Sequence, residues 1–139
     1  MTDLEKAKSA LSGHSLALVR GDEVKLFDGK GISPLVKAVE SGNLSGFSAA
    51  DLVVGKAAAL LMTGAGITCV FAKCVSEAGL KVLKSHGIAC SYDVIAEKIM
   101  NRDGTDVCPM EKTVQNIDDP SAALVAIRQK LAELMQKSL

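Results

Sequence analysis

The order of strand and helix signals in this 139-residue chain predicts an α/β fold whose sheet contains a parallel pair. Residues 67–71 (Ile-Thr-Cys-Val-Phe) and 88–92 (Ile-Ala-Cys-Ser-Tyr) read as strands on either side of a helix over 77–86, and strand–helix–strand order requires a crossover. Residues 14–19 and 24–27 flank Gly21-Asp22 and read as a β-hairpin. Leu124, Ile127, Leu131 and Leu134 recur at helical spacing behind Asp119-Pro120. Residues 119–139 are therefore expected to form a terminal packing helix that covers a sheet face or meets a partner.

With 48% hydrophobic and 23% charged residues, the chain has the composition of one domain, 1–139, with a core of its own. Sixteen basic residues balance sixteen acidic ones, so no electrostatic footprint for nucleic acid is expected. The first residues lack a basic stretch followed by an apolar one, and the most apolar run, 49–65, contains Asp51 and Lys56. A soluble cytoplasmic protein with no membrane partner is the expectation. Cys69, Cys74, Cys90 and Cys108 form no Cys-x-x-Cys pair and no close ligand cluster with His14 or His86. Mostly free thiols, no metal and no cofactor are expected, since only a convergence of distant residues would build a metal site.

Residues 7–11 read as the end of a short first helix. Ser33-Pro34 reads as the cap and start of a helix through Val39 that stops near Gly42, with 44–47 as a connection. Ser48 is placed as the cap of a longer helix from Ala49 toward Met62, broken by Gly64-Ala65-Gly66. In that helix Asp51 and Lys56 would stand about 140° apart and face separate partners. Ser76 caps the next helix, which Gly87 terminates. No repeat is evident, and Gly64-x-Gly66 alone is not a dinucleotide fingerprint.

Residues 99–112 concentrate the polar chemistry. Asn101-Arg102-Asp103-Gly104 has strong turn chemistry, and the Arg102 guanidinium suits an anionic or carbonyl-bearing ligand that Asp103 would help to orient. In Cys108-Pro109-Met110-Glu111, Pro109 fits the first helical position and Glu111 the third, so backbone N–H groups would converge near the Cys108 sulfur. Such a place suits a reactive thiolate or an anion, although Cys-Pro before a helix is also ordinary punctuation. Lys56 reads either as a pocket cation or as a snorkelling lysine. Ser76 and Glu77 offer polar atoms at a strand-to-helix edge, where open α/β sheets bind ligands, besides their capping roles. His14 and His86 read as residues at a strand start and a last helical turn.

The pattern Gly46-Phe47-Ser48-Ala49-Ala50-Asp51-x-Val53-Val54-Gly55-Lys56-Ala57-Ala58-Ala59, followed by Ser76-Glu77 and Asn101-Arg102-Asp103-Gly104-Thr105-x-x-Cys108-Pro109-x-Glu111, resembles the family known as domain of unknown function 1893 over residues 4–118. The resemblance implies a cytidine-deaminase-like fold, a three-layer α/β/α sandwich with a mixed sheet and helices on both sides. It implies no particular reaction. Zinc-dependent deaminases carry His-Ala-Glu or Cys-Ala-Glu on one helix and Pro-Cys-x-x-Cys at the start of the next. Here the corresponding stretches are Gly55-Lys56-Ala57 and Cys74-Val75-Ser76-Glu77, and Cys108-Pro109 has the reverse order with a single Cys. Ordinary zinc deamination is therefore disfavoured.

The expected function is a non-zinc member of this scaffold that binds a small polar or nucleotide-related ligand, with Cys-dependent chemistry as an extension. In that extension Cys108 is the nucleophile, Lys56 or Arg102 stabilises negative charge, and Asp51, Asp103 or Glu111 orients groups or exchanges protons. Ser76, Glu77 and Asn101 complete the expected ligand-binding set. The alternatives are a non-catalytic regulatory or ligand-binding module and a structural homo-oligomer, a homodimer being compatible with the apolar terminal helix.

Overall fold

The computed structural model describes residues 1–137. Helix α1 (Asp3–Ala10) is capped by the Thr2 hydroxyl, which accepts from the Glu5 N–H. It leads into the hairpin of β1 (Leu16–Arg20) and β2 (Glu23–Phe27), whose tight turn holds Gly21 at φ 59°. Helix α2 (Ser33–Ser41) starts after Ile32 with Pro34 in its first turn. Ser33 thus lies inside the helix and provides no side-chain cap, in contrast to its expected role. There follow β3 (Ser48–Val54), α3 (Lys56–Ala65), β4 (Cys69–Ser76), α4 (Glu77–Ser85) and β5 (Ala89–Ala96). A short α5 (Pro109–Thr113) and a long α6 (Pro120–Lys137) complete the chain.

The five strands form one mixed sheet in the order β2-β1-β3-β4-β5. β1 runs antiparallel to both neighbours, whereas β3, β4 and β5 are mutually parallel. Helix α1 covers one face, packing Ala7 and Leu11 against Ala17, Val19, Ala50 and Phe71. The other face carries the larger core, where Leu16, Leu18, Val70 and Val75 meet α2, α3 and α4. The result is an α/β/α sandwich with very unequal helical layers.

The helix expected from Ala49 to Met62 is two elements. Alanine's helix propensity is a weak prior, and here tertiary context overrides it. The segment 48–54 is the central strand: Ala49 packs into the larger core and Ala50 into the α1 core, both fully buried, as strand alternation demands. Helix α3 begins only after Gly55, so Asp51 sits in a strand and Lys56 at a helix start.

Asp119 caps α6, its carboxylate accepting from the Ala122 N–H at 2.9 Å. The expected stripe is present, with Ile127 fully buried and Leu124, Leu131 and Leu134 packed on the larger core. That stripe lies chiefly against α3, so α6 covers a helix instead of a sheet face. No helix among the described residues is long and apolar enough to cross a membrane.

Candidate functional site

The parallel strands β3 and β4 deliver two helix starts to the same end of the sheet. At α4, Ser76 is buried and its hydroxyl accepts from the Gly79 N–H at 2.9 Å, the local cap expected from sequence. At α3 the residue before the helix is Gly55, which has no side chain to offer. The acceptor comes from α5: Glu111 takes the Lys56 N–H at 2.7 Å and the Ala57 N–H at 2.9 Å, one on each carboxylate oxygen. A carboxylate there answers both the orphan donors and the positive end of the helix dipole.

Glycine is required at both starts. A methyl group on Gly55 would collide with the Glu111 carboxylate, and one on Gly79 would come within 2.9 Å of the Gly55 carbonyl and the Val54 oxygen. The two helix starts therefore touch backbone to backbone. Among the described residues no three His, Cys, Asp or Glu side chains converge to hold a metal ion. This donor set does not fit a catalytic zinc, and ordinary zinc-dependent deamination is disfavoured.

Beside this junction lies an open cleft of about 740 Å³, walled by α4, by α5 and by the loop after β5. Lys56 lines it, with its ammonium 3.1 Å from the Gln115 carbonyl and 3.1 Å from an Asp118 carboxylate oxygen. These bonds tie the α5–α6 connection to the start of α3. Lys112, another lining residue, is paired with Asp106, and its hydrogen bond holds the Asp106 carboxyl below the usual range. Lys81 from α4 and Lys98 from the loop also line the cleft and make no ion pair among the described residues. His86, at the end of α4, reaches the same wall with Nδ1 at 3.0 Å from the Val82 carbonyl.

The structure brings together part of the set singled out from sequence. Lys56, Ser76 and Glu111 line the cleft, whereas Glu77 lies in a shallower groove beside Lys84 and Ile95. Asn101, Arg102 and Asp103 form the expected turn, with Gly104 at φ 70° and the Asn101 side-chain Oδ1 accepting from the Thr105 N–H. None of the three lines the cleft, although the loop that carries them supplies Lys98 and Val107. Cys108 is the residue before α5, as expected, but its side chain makes no capping bond to a helix of only five residues. Its side chain packs at the margin of the larger core, and all four cysteines are free.

Asp51 stands elsewhere. It shares a register row with Leu16 and Ala72, so its carboxyl belongs to the helix-rich face of the sheet. Burial pushes that carboxyl up to about 7, against the opposing effect of hydrogen bonds from the Leu52 and Val53 N–H groups. Burial likewise raises the Cys90 thiol, with Lys84 acting in the other direction. Sequence reading missed Lys81 and Lys98. The one signal available was a lysine on the exposed side of a capped helix and another just beyond a strand end, and neither is distinctive without the fold.

The family described as Domain of unknown function (DUF1893) matches residues 6–131. The chain belongs to that family. The match reaches beyond residue 118 into α6, as far as residue 131. Among solved structures the chain is similar to a DUF1893 family protein from Thermotoga maritima, at 29% identity and a TM-score of 0.83, over 94% of this chain and 91% of that one. No curated protein matches it.

Proposed function

We propose that this DUF1893 protein is a non-zinc ligand-binding module whose cleft takes a small polar molecule bearing an anionic group. One observation carries the reading: four lysines line a single cleft, and two of them, Lys81 and Lys98, have no carboxylate partner among the described residues. An anion bridging α4 and the loop would supply that partner. Lys56 and Ser76 sit at the inner end, and Glu111 acts as a positioning residue that holds the α3 start in place. Asn101, Arg102 and Asp103 belong to the loop that supplies Lys98 and Val107 to the cleft, and in this reading a larger ligand would extend toward them. The nucleotide-related class rests on the cytidine-deaminase-like reading of the scaffold, an argument by fold analogy.

Cys-dependent chemistry requires the Cys108 sulfur to reach the ligand. Cys108 is outside the cleft lining, which favours the module without a thiol step. The test is titration of amide NMR spectra with cytidine 5′-monophosphate, cytidine and inorganic phosphate. The two phosphate-bearing probes should shift the amides of Lys81 and Lys98, and K81A/K98A should weaken their binding at least about 10-fold, since a charged hydrogen bond contributes about 1.5–3 kcal/mol. C108S should bind as the wild type does. Perturbations on another surface, or unchanged affinity in the double variant, would overturn the reading.

A further inference from the structure

The last strand of the sheet is β5, and its outer edge runs eight residues, Ala89–Ala96, with no strand beside it among the described residues. Residues 91–95 are exposed without interruption, including Tyr92 at 42%, Val94 at 57% and Ile95 at 47%. Side chains alternate between the two faces of a strand, so an unbroken exposed run means that both faces of 91–95 are largely open, although Cys90 packs on the larger core. The opposite edge of the sheet is built differently. β2 has five residues and carries Glu23, tied to Arg20 at 2.8 Å, and Lys25, whose ammonium lies 5.4 Å from the centre of the Phe47 ring. Short length and charge are how sheet edges avoid pairing. β5 has no Lys, Arg, Pro or Gly in Ala89–Ala96.

A row of unpaired N–H and C=O groups selects another extended strand as its occupant. A second copy of β5 suits it, because the strand is self-complementary about a two-fold axis through Tyr92. That axis sets Tyr92 against its own copy, Cys90 opposite Val94, Ala89 opposite Ile95, and Ser91 opposite Asp93, where the hydroxyl donates to the carboxylate. An axis through Asp93 would place two carboxylates directly opposite, which is destabilising. Equal numbers of basic and acidic residues leave no net repulsion between copies. The apolar stripe of α6 lies against α3, so it is β5 that keeps an open backbone edge for a second copy.

We propose that this protein forms a two-fold homodimer by antiparallel pairing of β5 with β5, joining two sheets into one. Sedimentation equilibrium of the wild type should give twice the 14.5 kDa chain mass. V94K should shift the protein to monomer while keeping its circular dichroism spectrum, with an unfolding midpoint equal to that of wild type diluted below the dimer dissociation constant, because Val94 is exposed in the single chain. Under oxidation, Y92C should form a 92–92 disulfide identified by peptide mass mapping, since facing residues of an antiparallel pair have Cα separations of about 4.5–5.5 Å, within disulfide reach. Tyr92 is the sole tyrosine and there is no tryptophan, so wild-type intrinsic fluorescence should change on dilution through the dimer dissociation constant. A monomeric mass at the highest soluble concentration would overturn the proposal. So would a V94K dimer of wild-type affinity, and a dimer without the 92–92 cross-link would overturn the register.

Discussion

The starts of α3 and α4 lie side by side at the end of the same parallel strands, yet their orphan N–H groups are satisfied over very different distances. At α4 the acceptor is Ser76, three residues from the donor. At α3 it is Glu111, 55 residues from Lys56 in sequence and held on a short helix of its own. The first arrangement is local chemistry that any Ser before a helix can supply. The second exists only when the 97–118 segment has docked, and the docking is reinforced by Lys56 binding Gln115 and Asp118. A helix start closed from afar is also a fastening: it couples the wall of the cleft to the core.

The largest test of this difference is removal of the remote cap. E111A deletes two hydrogen bonds to a carboxylate and should destabilise the fold by about 3 kcal/mol in urea unfolding. Hydrogen exchange should rise across 97–118 as well as at Lys56 and Ala57. E111Q keeps an acceptor and should recover part of the loss. Wild-type protection of 97–118 in E111A would break the idea that the cap fastens the segment.

Asp51 sharpens the comparison, being a carboxyl near the same strands that buries without a helix start to stabilise its charge. An unfolded Asp titrates near 4, whereas the folded carboxyl is raised to about 7. Between those values the native state holds a proton that the unfolded chain has released. Stability should therefore be highest at the acid end of that window, fall as pH rises through it and level off above about 7. D51N cannot titrate, so it should match the wild type near pH 4 and exceed it by about 2 kcal/mol at pH 8, a value discounted for partial solvent access. Parallel stability curves for the two proteins across that range would show that Asp51 is not the group responsible.

The smallest effect belongs to the local cap. S76A should cost about 1–2 kcal/mol by chemical denaturation, the usual range for an N-cap. Its exchange effects should stay within the first turn of α4, while those of E111A spread. Because the two helix starts are in contact, the double variant should depart from additivity by about 0.5 kcal/mol or more.

Much of the fold was legible where the signals were local. The Gly21 turn between two apolar runs, Ser76 before α4, Gly87 after it and Asp119 before α6 act within a few residues, and each element appears where its signal stands. β3 was misread because Ala49-Ala50 favours a helix in isolation, while Val53-Val54 and the following Gly55 were the weaker hints of a strand end. Of the candidate site, Lys56, Ser76 and Glu111 meet at one cleft, but Arg102 and Cys108 do not line it. A turn motif or a Cys-Pro pair declares its own backbone shape and nothing about the surface it will face.

The sequence by itself determined the β1–β2 hairpin, the parallel crossover through α4, the DUF1893 pattern and the want of a zinc-deaminase ligand set. Those follow from residue spacing and side-chain chemistry over short distances. Only the tertiary structure decided that Ser48–Val54 is the central strand, that Glu111 closes α3, that Lys81 and Lys98 share a cleft, and that β5 is left as an open edge. Each of these depends on contacts between segments far apart in the chain, where packing overrides local propensity and no short motif records the partner.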